Sequence, residues 1–510
     1  MKQLKDVVKM AKSRSGVVKL NFVTGFVHEL IVIVFGLILP RFTLAYFGSD
    51  YNGLLNSIVQ FMSFSMVLRS GLGAVTNAAL YKPLAEGNLT VVSGIMVATD
   101  RFMKKIGILL AIIIFGFALV YPLLVLDEFE YFFTFSLILI IGMASWVENM
   151  FSIKYKILLQ ADQKYYIITI VTVAAYVLSN IFAIVLIVTG FNIHIVRIGT
   201  LLGLMTTPFM LKIYVERNYT IDWAQEANEV AIKSRWDAFA QQLASIANNN
   251  VSTILMTFLF PLKEISVYTV YYMVVKNINQ LLTTAFAGIR STFGNMYAKG
   301  ETQRLKERFR DVEWMIFASG AVLYGTTGVL LTPFVMVYTK GITDADYNRY
   351  WFSILMTLSC YIYTARLPYQ LVTDAVGCFK ETRNSAILEI VFNVVVSLLC
   401  APFIGLNGIL VGSLIGGIIR VGNLLWICNR KILKTSLAST LKNYIVYCAG
   451  SVVLAVLLSR VMNIECANYG TWILYAIPVT LMMSVAILAL SIVFNRKQLI
   501  GILKYLRKRK

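Results

Sequence analysis

Residues Ile106–Leu126 read IGILLAIIIFGFALVYPLLVL, which is 21 positions without a charged side chain. A transmembrane helix needs about 20 predominantly apolar residues to cross a hydrocarbon core of ~30 Å. Similar runs occur at 30–39, 132–143, 167–189 and 473–494. Continuous apolar runs are typical of membrane helices, whereas membrane β-strands alternate over about ten residues. The sequence therefore predicts an all-α integral membrane protein.

The composition of the 510-residue chain supports this interpretation. It is 58% hydrophobic and 14% charged, and its mean hydropathy is +0.72. A soluble domain carries about 25% charged residues. The six cysteines are scattered and the two histidines are too few for a cluster, so neither a metal site nor a disulfide framework is expected. The first apolar stretch is too long for a removable signal peptide and predicts a membrane helix.

The apolar runs predict about fourteen transmembrane helices. These helices are numbered in chain order and placed at residues 17–46, 53–82, 104–126, 131–154, 165–189, 193–214, 234–261, 265–296, 312–339, 350–375, 384–404, 406–428, 441–460 and 470–494.

Basic residues predict the orientation of the helices. With the N-terminus in the cytoplasm, the loops after even-numbered helices and both chain ends carry the lysine and arginine clusters. The opposite loops hold few basic residues, which are Arg41, Lys263, Lys340, Arg349 and Arg460. This satisfies the positive-inside rule and places both termini in the cytoplasm. The net charge of +20 then reflects orientation and contact with anionic lipids, and nucleic-acid binding is not expected.

A weak internal repeat predicts two lobes. Thr189-Gly190-Phe191-Asn192 follows helix 5 and Ile404-Gly405-Leu406-Asn407 follows helix 11, an offset of about 215 residues, while Pro40 and Pro261 close helices 1 and 7. Six helices per repeat give both halves the same orientation. We therefore expect pseudo-symmetric six-helix lobes at 1–215 and 234–428, a cytoplasmic linker at 216–233, and two further helices with a basic tail at 429–510. Transporters built from repeats bind substrate between the repeats.

Charged residues within the predicted helices indicate a polar cavity, because an intramembrane charge costs a few kcal/mol unless it faces a cavity or a partner. Basic residues outnumber acidic ones inside the helices. The candidate substrate-binding cations are Arg69, Lys276, Arg290 and Arg366. The candidate cavity-lining or coupling residues are Asn21, His28, Glu29, Glu148, Asp237, Asn249 and Asp374. The remaining intramembrane charges are Arg197, Arg420 and Glu389, of which Arg197 and Arg420 suit a structural role equally well.

Structural interpretations of the candidates stay open. Polar stripes also hold membrane helices together, and Arg290 lies near a helix end, where it can extend to lipid headgroups. Glu148 suits a proton or ion site and, equally, an ion pair with a cavity arginine. His28 can titrate near neutral pH, although a buried histidine with satisfied hydrogen bonds is the commoner case. An excess of cations favours an anionic substrate such as a lipid phosphate or pyrophosphate.

Four segments carry a resemblance to a known family. They are Gly36-Leu-Ile-Leu-Pro40-Arg41, Tyr46-Phe-Gly48-Ser-Asp-Tyr-Asn-Gly53-Leu, Gly71-Leu-Gly73 and Ala79-Leu-Tyr81-Lys-Pro83-Leu-Ala85. With the fourteen-helix pattern, they resemble the polysaccharide repeat-unit flippases of the multidrug/oligosaccharidyl-lipid/polysaccharide (MOP) exporter superfamily. Arg69 and Arg290 lie in helices that carry cavity arginines in the related lipid II flippases, whereas the helix 1 arginine of those proteins has no clear match here.

The resemblance implies a monomeric flippase of a bacterial plasma membrane rather than an enzyme. It implies translocation of undecaprenyl-pyrophosphate-linked oligosaccharide to the outer leaflet for capsule, exopolysaccharide or O-antigen-type polymers, in contact with a glycan polymerase and glycosyltransferases. No cofactor is expected, and coupling to H⁺ or Na⁺ is left open. One alternative is a cation-coupled multidrug exporter, for which cavity carboxylates are expected. Another is a membrane-embedded polymerase or glycosyltransferase, for which a sizeable outer loop is expected.

Overall fold

The structure is a computed structural model that describes residues 14–63, 65–230, 252, 255–286, 288–462 and 464–507. The chain divides into two compact units, Met1–Ala247 and Asn248–Lys510, each described by itself below. Regular secondary structure in the described residues is helical, without a β-strand. The predicted all-α membrane fold is confirmed.

Unit 1 contains eight described α-helices. They are α1 (Arg14–Phe47), α2 (Ser49–Met62), α3 (Ser65–Glu86), α4 (Leu89–Val120), α5 (Tyr131–Val147), α6 (Ile153–Ala161), α7 (Tyr165–Val188) and α8 (Ile193–Asn218). Asparagine side chains begin two of them, because an amide oxygen accepts from backbone N–H groups that the first helical turn leaves free. Asn88 accepts from the Val91 amide and Asn192 from the Ile195 amide, each at 3.1 Å.

Unit 2 contains ten described α-helices. They are α9 (Leu262–Phe286), α10 (Ile289–Ala298), α11 (Thr302–Tyr338), α12 (Tyr350–Ala365), α13 (Leu367–Val376), α14 (Phe379–Ile404), α15 (Leu406–Ile427), α16 (Leu437–Val461), α17 (Tyr469–Phe494) and α18 (Arg496–Arg507). A turn at Gly405 joins α14 to α15, and its φ of 59° lies in the region that glycine adopts without strain.

Ten helical segments in the described ranges are long and apolar enough to cross a membrane. They coincide with predicted helices 1, 3, 4, 5, 6, 9, 11, 12, 13 and 14. Predicted helices 2, 8 and 10 are each divided in two, as α2/α3, α9/α10 and α12/α13. Predicted helix 7 lies mostly outside the described residues. Three ranges that the sequence predicts as single helices therefore each contain two helices.

Local chemistry accounts for two of these interruptions. After α2, the Ser63 hydroxyl donates to the Gln60 carbonyl at 2.6 Å, which competes with the helical pattern. After α12, Pro368 lacks an amide hydrogen, and its ring excludes a regular helix through the preceding turn.

The fourth predicted helix of each half is interrupted at a similar position. In unit 1, a π-helical segment, Glu148–Ser152, joins α5 to α6. In unit 2, α12 gives way to α13 at Arg366. Glu148 lies 17 positions after the first residue of α5, and Arg366 lies 16 positions after the first residue of α12. Each interruption coincides with a charged residue, and π-segments are frequent at functional sites.

Helices α14 and α15 pack closely against each other in unit 2. Gly408, Gly412 and Gly416 recur every fourth residue and therefore share one face of α15. A Cβ atom at Gly412 would lie 2.6 Å from the carbonyl oxygen of Asn393 on α14, and one at Gly416 would lie 2.7 Å from another α14 carbonyl. Small residues at this spacing allow membrane helices to approach backbone to backbone. This packing therefore fixes how far the two helices are shifted along each other, and so which side chains of α14 and α15 lie at the same height.

Candidate functional site

Arg366 lies at the interruption between α12 and α13, where the chain turns out of the helical path before Pro368. Its guanidinium stacks on the ring of Tyr363, with the central carbon 3.4 Å from the ring centroid. Its Nη1 atom lies 3.3 Å from Oε1 of Glu389 on α14. The stacking and the ion pair hold the guanidinium plane in a defined orientation.

Arg420 reaches the same carboxylate from α15. Its Nε atom lies 3.8 Å from Oε2 of Glu389, and its Nη1 donates to the carbonyl of Thr382 and to the hydroxyl of Ser385. The side chains of Arg366 and Arg420 are 12% and 13% exposed, and that of Glu389 is 8% exposed. Two largely buried arginines therefore share one carboxylate.

A second ion pair lies on neighbouring elements. Arg290 on α10 places Nη1 3.9 Å from Oδ2 of Asp374 on α13. The side chains of Arg290 and Asp374 are more exposed than those of the first ion pair, at 53% and 29%. The charges of Arg366 and Arg420 also act on the Asp374 carboxylate. We call Arg290, Arg366, Asp374, Glu389 and Arg420 the charge cluster of unit 2.

The charge cluster combines three guanidinium groups with two carboxylates and has a formal net charge of +1. Each guanidinium offers five N–H donors in a fixed plane, which matches the oxygens of a phosphate. Moving charges out of water costs several kcal/mol per ion unless partners compensate. An anion entering beside the exposed Arg290 would meet donors already oriented by their carboxylate partners.

Three predicted site residues, Arg290, Arg366 and Asp374, thus come together in unit 2. Lys276, another of the predicted cations, lies on α9. Its side chain is exposed and forms no ion pair with a described residue. Asp237 and Asn249 fall outside the described residues.

The candidates of unit 1 occupy separate places. Asn21 on α1 donates to the Gln163 carbonyl at 3.2 Å and accepts from the Tyr166 amide at 2.8 Å, which ties α1 to the start of α7. His28 and Glu29 are half-buried on α1. Arg69 belongs to α3, and its side chain is outside what the structure describes.

Glu148 forms an ion pair with a lysine. Its Oε1 lies 2.8 Å from Nζ of Lys156, across the π-helical segment that joins α5 to α6. Arg197 on α8 makes no ion pair within the described part of the chain, and its Nε is buried without a hydrogen-bond partner.

Glu389 and Arg420 complete the cluster, although neither was selected as a site residue from the sequence. A usable signal exists in the chain: Glu389 lies 16 residues before Gly405 and Arg420 lies 15 residues after it. In an antiparallel hairpin, nearly equal distances from the turn place two residues at nearly the same level along the helices. The hairpin pairing, and not the hydropathy, therefore identifies this ion pair.

No protein-family model matches the sequence, and no curated protein matches it. Solved structures do match. A structure described as lipid II flippase MurJ in an inward closed conformation aligns with a TM-score of 0.71 at 16% identity, over 94% of this chain and 99% of that chain. An inward-facing multidrug resistance MATE family transporter of the MOP superfamily aligns with a TM-score of 0.61 at 14% identity, over 81% and 96%. A MATE structure in a bent conformation gives 0.55 at 12%, over 86% and 99%.

This chain shares the fold of these transporter structures, one of which is named as a member of the MOP superfamily. The expectation of a multi-pass membrane protein of this architecture is confirmed, since both flippase and multidrug transporter structures share it. Within the MOP fold, the polysaccharide repeat-unit subtype stays a prediction. Because identity to these structures is 16% or less, residue roles have to be argued from the side chains of this chain itself.

Proposed function

We propose that this protein is a flippase that moves undecaprenyl-pyrophosphate-linked oligosaccharide units from the cytoplasmic to the outer leaflet, for capsule, exopolysaccharide or O-antigen-type polymers. The observation that carries the proposal is the charge cluster of unit 2, which holds three arginines against two carboxylates within a membrane fold. A pyrophosphate is an anion with oxygens on two phosphorus atoms, so it can engage several guanidinium groups at once.

The proposed binding sequence begins at Arg290, because its side chain is the most exposed of the three arginines. A pyrophosphate oxygen displaces the long 3.9 Å contact between Arg290 and Asp374. The headgroup then shares Arg366 with Glu389, while the lipid chain stays in the bilayer. Alternating access of the two lobes releases the head on the outer side, as in other repeat-built transporters.

The extent of the structural likeness supports a flippase. The structure named as a lipid II flippase aligns with 94% of this chain, whereas the inward-facing multidrug transporter aligns with 81%. Some connections predicted to face outward are short, with four residues between α7 and α8 and one between α14 and α15. Connections of this length leave no room there for the catalytic loop expected of a glycan polymerase.

A multidrug exporter is the second candidate, because MATE structures share the fold at TM-scores of 0.61 and 0.55. A carrier of cationic drugs is expected to present unpaired carboxylates. Both carboxylates of the charge cluster are instead paired with arginines. This pairing favours an anionic cargo.

The test uses purified protein in liposomes that contain fluorescent undecaprenyl-pyrophosphate oligosaccharide, with flipping measured by quenching from outside. The double variant Arg290→Gln/Arg366→Gln is expected to flip at least about tenfold more slowly. One charge-assisted hydrogen bond contributes ~1.5–3 kcal/mol, and ~1.4 kcal/mol corresponds to a factor of ten in rate. Imposed H⁺ and Na⁺ gradients, collapsed one at a time, test the coupling ion.

The control is Arg304→Gln/Arg308→Gln, which removes the same charge from exposed positions on α11 where each arginine has a carboxylate within one turn. We expect this control to flip at the wild-type rate. Normal flipping by the Arg290/Arg366 variant would contradict the site. Efflux of a cationic dye by a protein that does not flip the glycolipid would establish the multidrug alternative instead.

A further inference from the structure

A separate polar cavity lies at the end of unit 2 that the topology places in the cytoplasm. The first turns of α11, the N-terminus of α16 and the junction between α17 and α18 enclose a volume of about 160 Å³. This is roughly ten times the ~10–15 Å³ that one water molecule needs. Lys306, Arg310, Asn443 and Gln498 contribute polar groups to its lining. None of these residues belongs to the charge cluster.

The two basic residues of this cavity are not held in close ion pairs, although the charge of Arg310 acts on the Glu313 carboxylate. Lys306 and Arg310 form no ion pair with the residues that the structure describes. By contrast, Arg304 and Arg308 on the same helix each pair with a carboxylate three residues away, at 3.0 and 3.5 Å. The cations that face the cavity are therefore available to a ligand, whereas those beside it are already neutralised.

The remaining groups of the cavity also favour an anion. Glu313 is the carboxylate in the lining; it is 3% exposed, and its charge is offset by a hydrogen bond of 2.8 Å from Tyr369 and by the charge of Arg310. Ser436 lines the cavity as the N-cap residue of α16, and its hydroxyl makes no capping hydrogen bond. Asn495, at the start of α18, lies in the same lining. Two helix N-termini direct positive ends of their dipoles toward this space.

The position of α18 sets the depth of the cavity relative to the membrane. Its sequence, RKQLIGILKYLR, places apolar residues at positions 499, 502, 503 and 506 and lysines at 497 and 504. These spacings give one apolar and one basic stripe. Helices of this kind lie in the interface plane, with the apolar stripe among acyl chains and the basic stripe toward anionic headgroups. Since α18 contacts α11 and α17, the cavity lies at headgroup level.

We propose that this cavity binds the phosphodiester headgroup of an anionic phospholipid from the cytoplasmic leaflet. Lys306 and Arg310 contact the phosphate oxygens, and the N-terminus of α16 supplies backbone donors. Phe494 is exposed at the same cavity and presents apolar surface for the glycerol and the first acyl carbons, and the buried Phe309 lies behind the lining. Basic pockets between transmembrane helices on the cytoplasmic side are typical sites for such headgroups.

The test uses the full chain, purified in detergent and depleted of lipid, with thermal unfolding followed during titration with phosphatidylglycerol, phosphatidylcholine or inorganic phosphate. A ligand that binds the folded protein raises its unfolding temperature with concentration. We expect phosphatidylglycerol to stabilise the wild type and the other two probes to have little effect. Lys306→Gln/Arg310→Gln is expected to raise the apparent Kd for phosphatidylglycerol at least about tenfold, because the variant loses at least one charge-assisted hydrogen bond to the phosphate.

The matched control is Arg304→Gln/Arg308→Gln, for which we expect a change of less than about twofold, since exposed and already paired charges contribute little. Equal weakening in both double variants would overturn the site, because it would report net charge alone. Equal stabilisation by phosphatidylcholine or by inorganic phosphate would overturn the lipid assignment. If the Lys306/Arg310 double variant does not fold, each single variant is titrated, and wild-type affinity in both would contradict the proposal.

Discussion

Glu389 directs one carboxylate oxygen toward Arg366 and the other toward Arg420. Arg420 lies within α15 and Arg366 lies between α12 and α13, and both side chains are largely buried. Two guanidinium groups without an anion would repel each other there and lose their hydration. The carboxylate therefore holds the two guanidinium groups close together, and each guanidinium keeps N–H donors that Glu389 does not use. Glu389 is the residue on which the geometry of the charge cluster depends.

Replacement of Glu389 tests this dependence. Glu389→Gln removes the carboxylate that two buried guanidinium groups share and is expected to lower the free energy of unfolding by about 3 kcal/mol. Arg366→Gln is expected to cost less, because Glu389 keeps Arg420 as a partner. The measurement is chemical or thermal unfolding in micelles, with the exposed Glu307→Gln on α11 as a control. Equal stability losses for Glu389→Gln and Arg366→Gln would show that the carboxylate is not shared.

For the individual residues of the charge cluster, the sequence identified the right kind of residue but not the contacts between them. Arg290, Arg366 and Asp374 stand out because a charge in an apolar run is costly. The pairing of Arg366 with Glu389 depends on the interruption at Pro368, which changes the direction in which the helix presents its side chains. Hydropathy contains no information on that direction.

The α14–α15 hairpin is the element that brings Glu389 and Arg420 to one level. Its close packing rests on Gly408, Gly412 and Gly416, whose missing side chains admit the backbone of α14. In lipid, burial of apolar surface contributes little to the association of helices, so backbone contact and dispersion have to supply the attraction. The glycine face is thus as necessary for the cluster as the charges are.

Alanine at Gly412 tests the glycine face. Its Cβ would lie 2.6 Å from a carbonyl oxygen of α14, so the helices have to separate, and the stability is expected to fall by about 1–3 kcal/mol. Gly422→Ala in the same helix is the control: nothing lies within 4 Å of its Cβ, and alanine there adds up to ~1 kcal/mol of helix propensity. Unfolding temperatures of the two variants give the comparison. A stable Gly412→Ala protein would refute the close approach.

The topology of the whole molecule is testable at two native cysteines. Cys466 lies in the α16–α17 connection, predicted to face outward, and Cys378 lies between α13 and α14, predicted to face the cytoplasm. An impermeant maleimide added to intact cells is expected to label Cys466 and to reach Cys378 only after permeabilisation. Cys466→Ser and Cys378→Ser variants identify the labelled site. Labelling of Cys378 in intact cells would reverse the orientation.

The labelling rate at both cysteines is expected to depend on pH. Partial burial raises the pKa of the Cys466 and Cys378 thiols above the ordinary value. The thiolate is the reactive form, so a raised pKa leaves less of it at neutral pH. Labelling is therefore expected to quicken about tenfold per pH unit until the raised pKa is reached. A rate that levels off below pH ~8.5, the usual thiol pKa, would contradict the burial of these side chains.

The sequence by itself determined the membrane fold, the positions of ten spanning helices and the charge pattern from which orientation is predicted. It can do so because lipid forces every spanning segment to be long, apolar and internally hydrogen-bonded, and each of these properties is local. The tertiary structure alone decided that helices 2, 8 and 10 are interrupted, that glycines join α14 to α15, and that Arg366 and Arg420 share Glu389. Those features depend on the rotation and separation of helices far apart in the chain, which are set by packing between them.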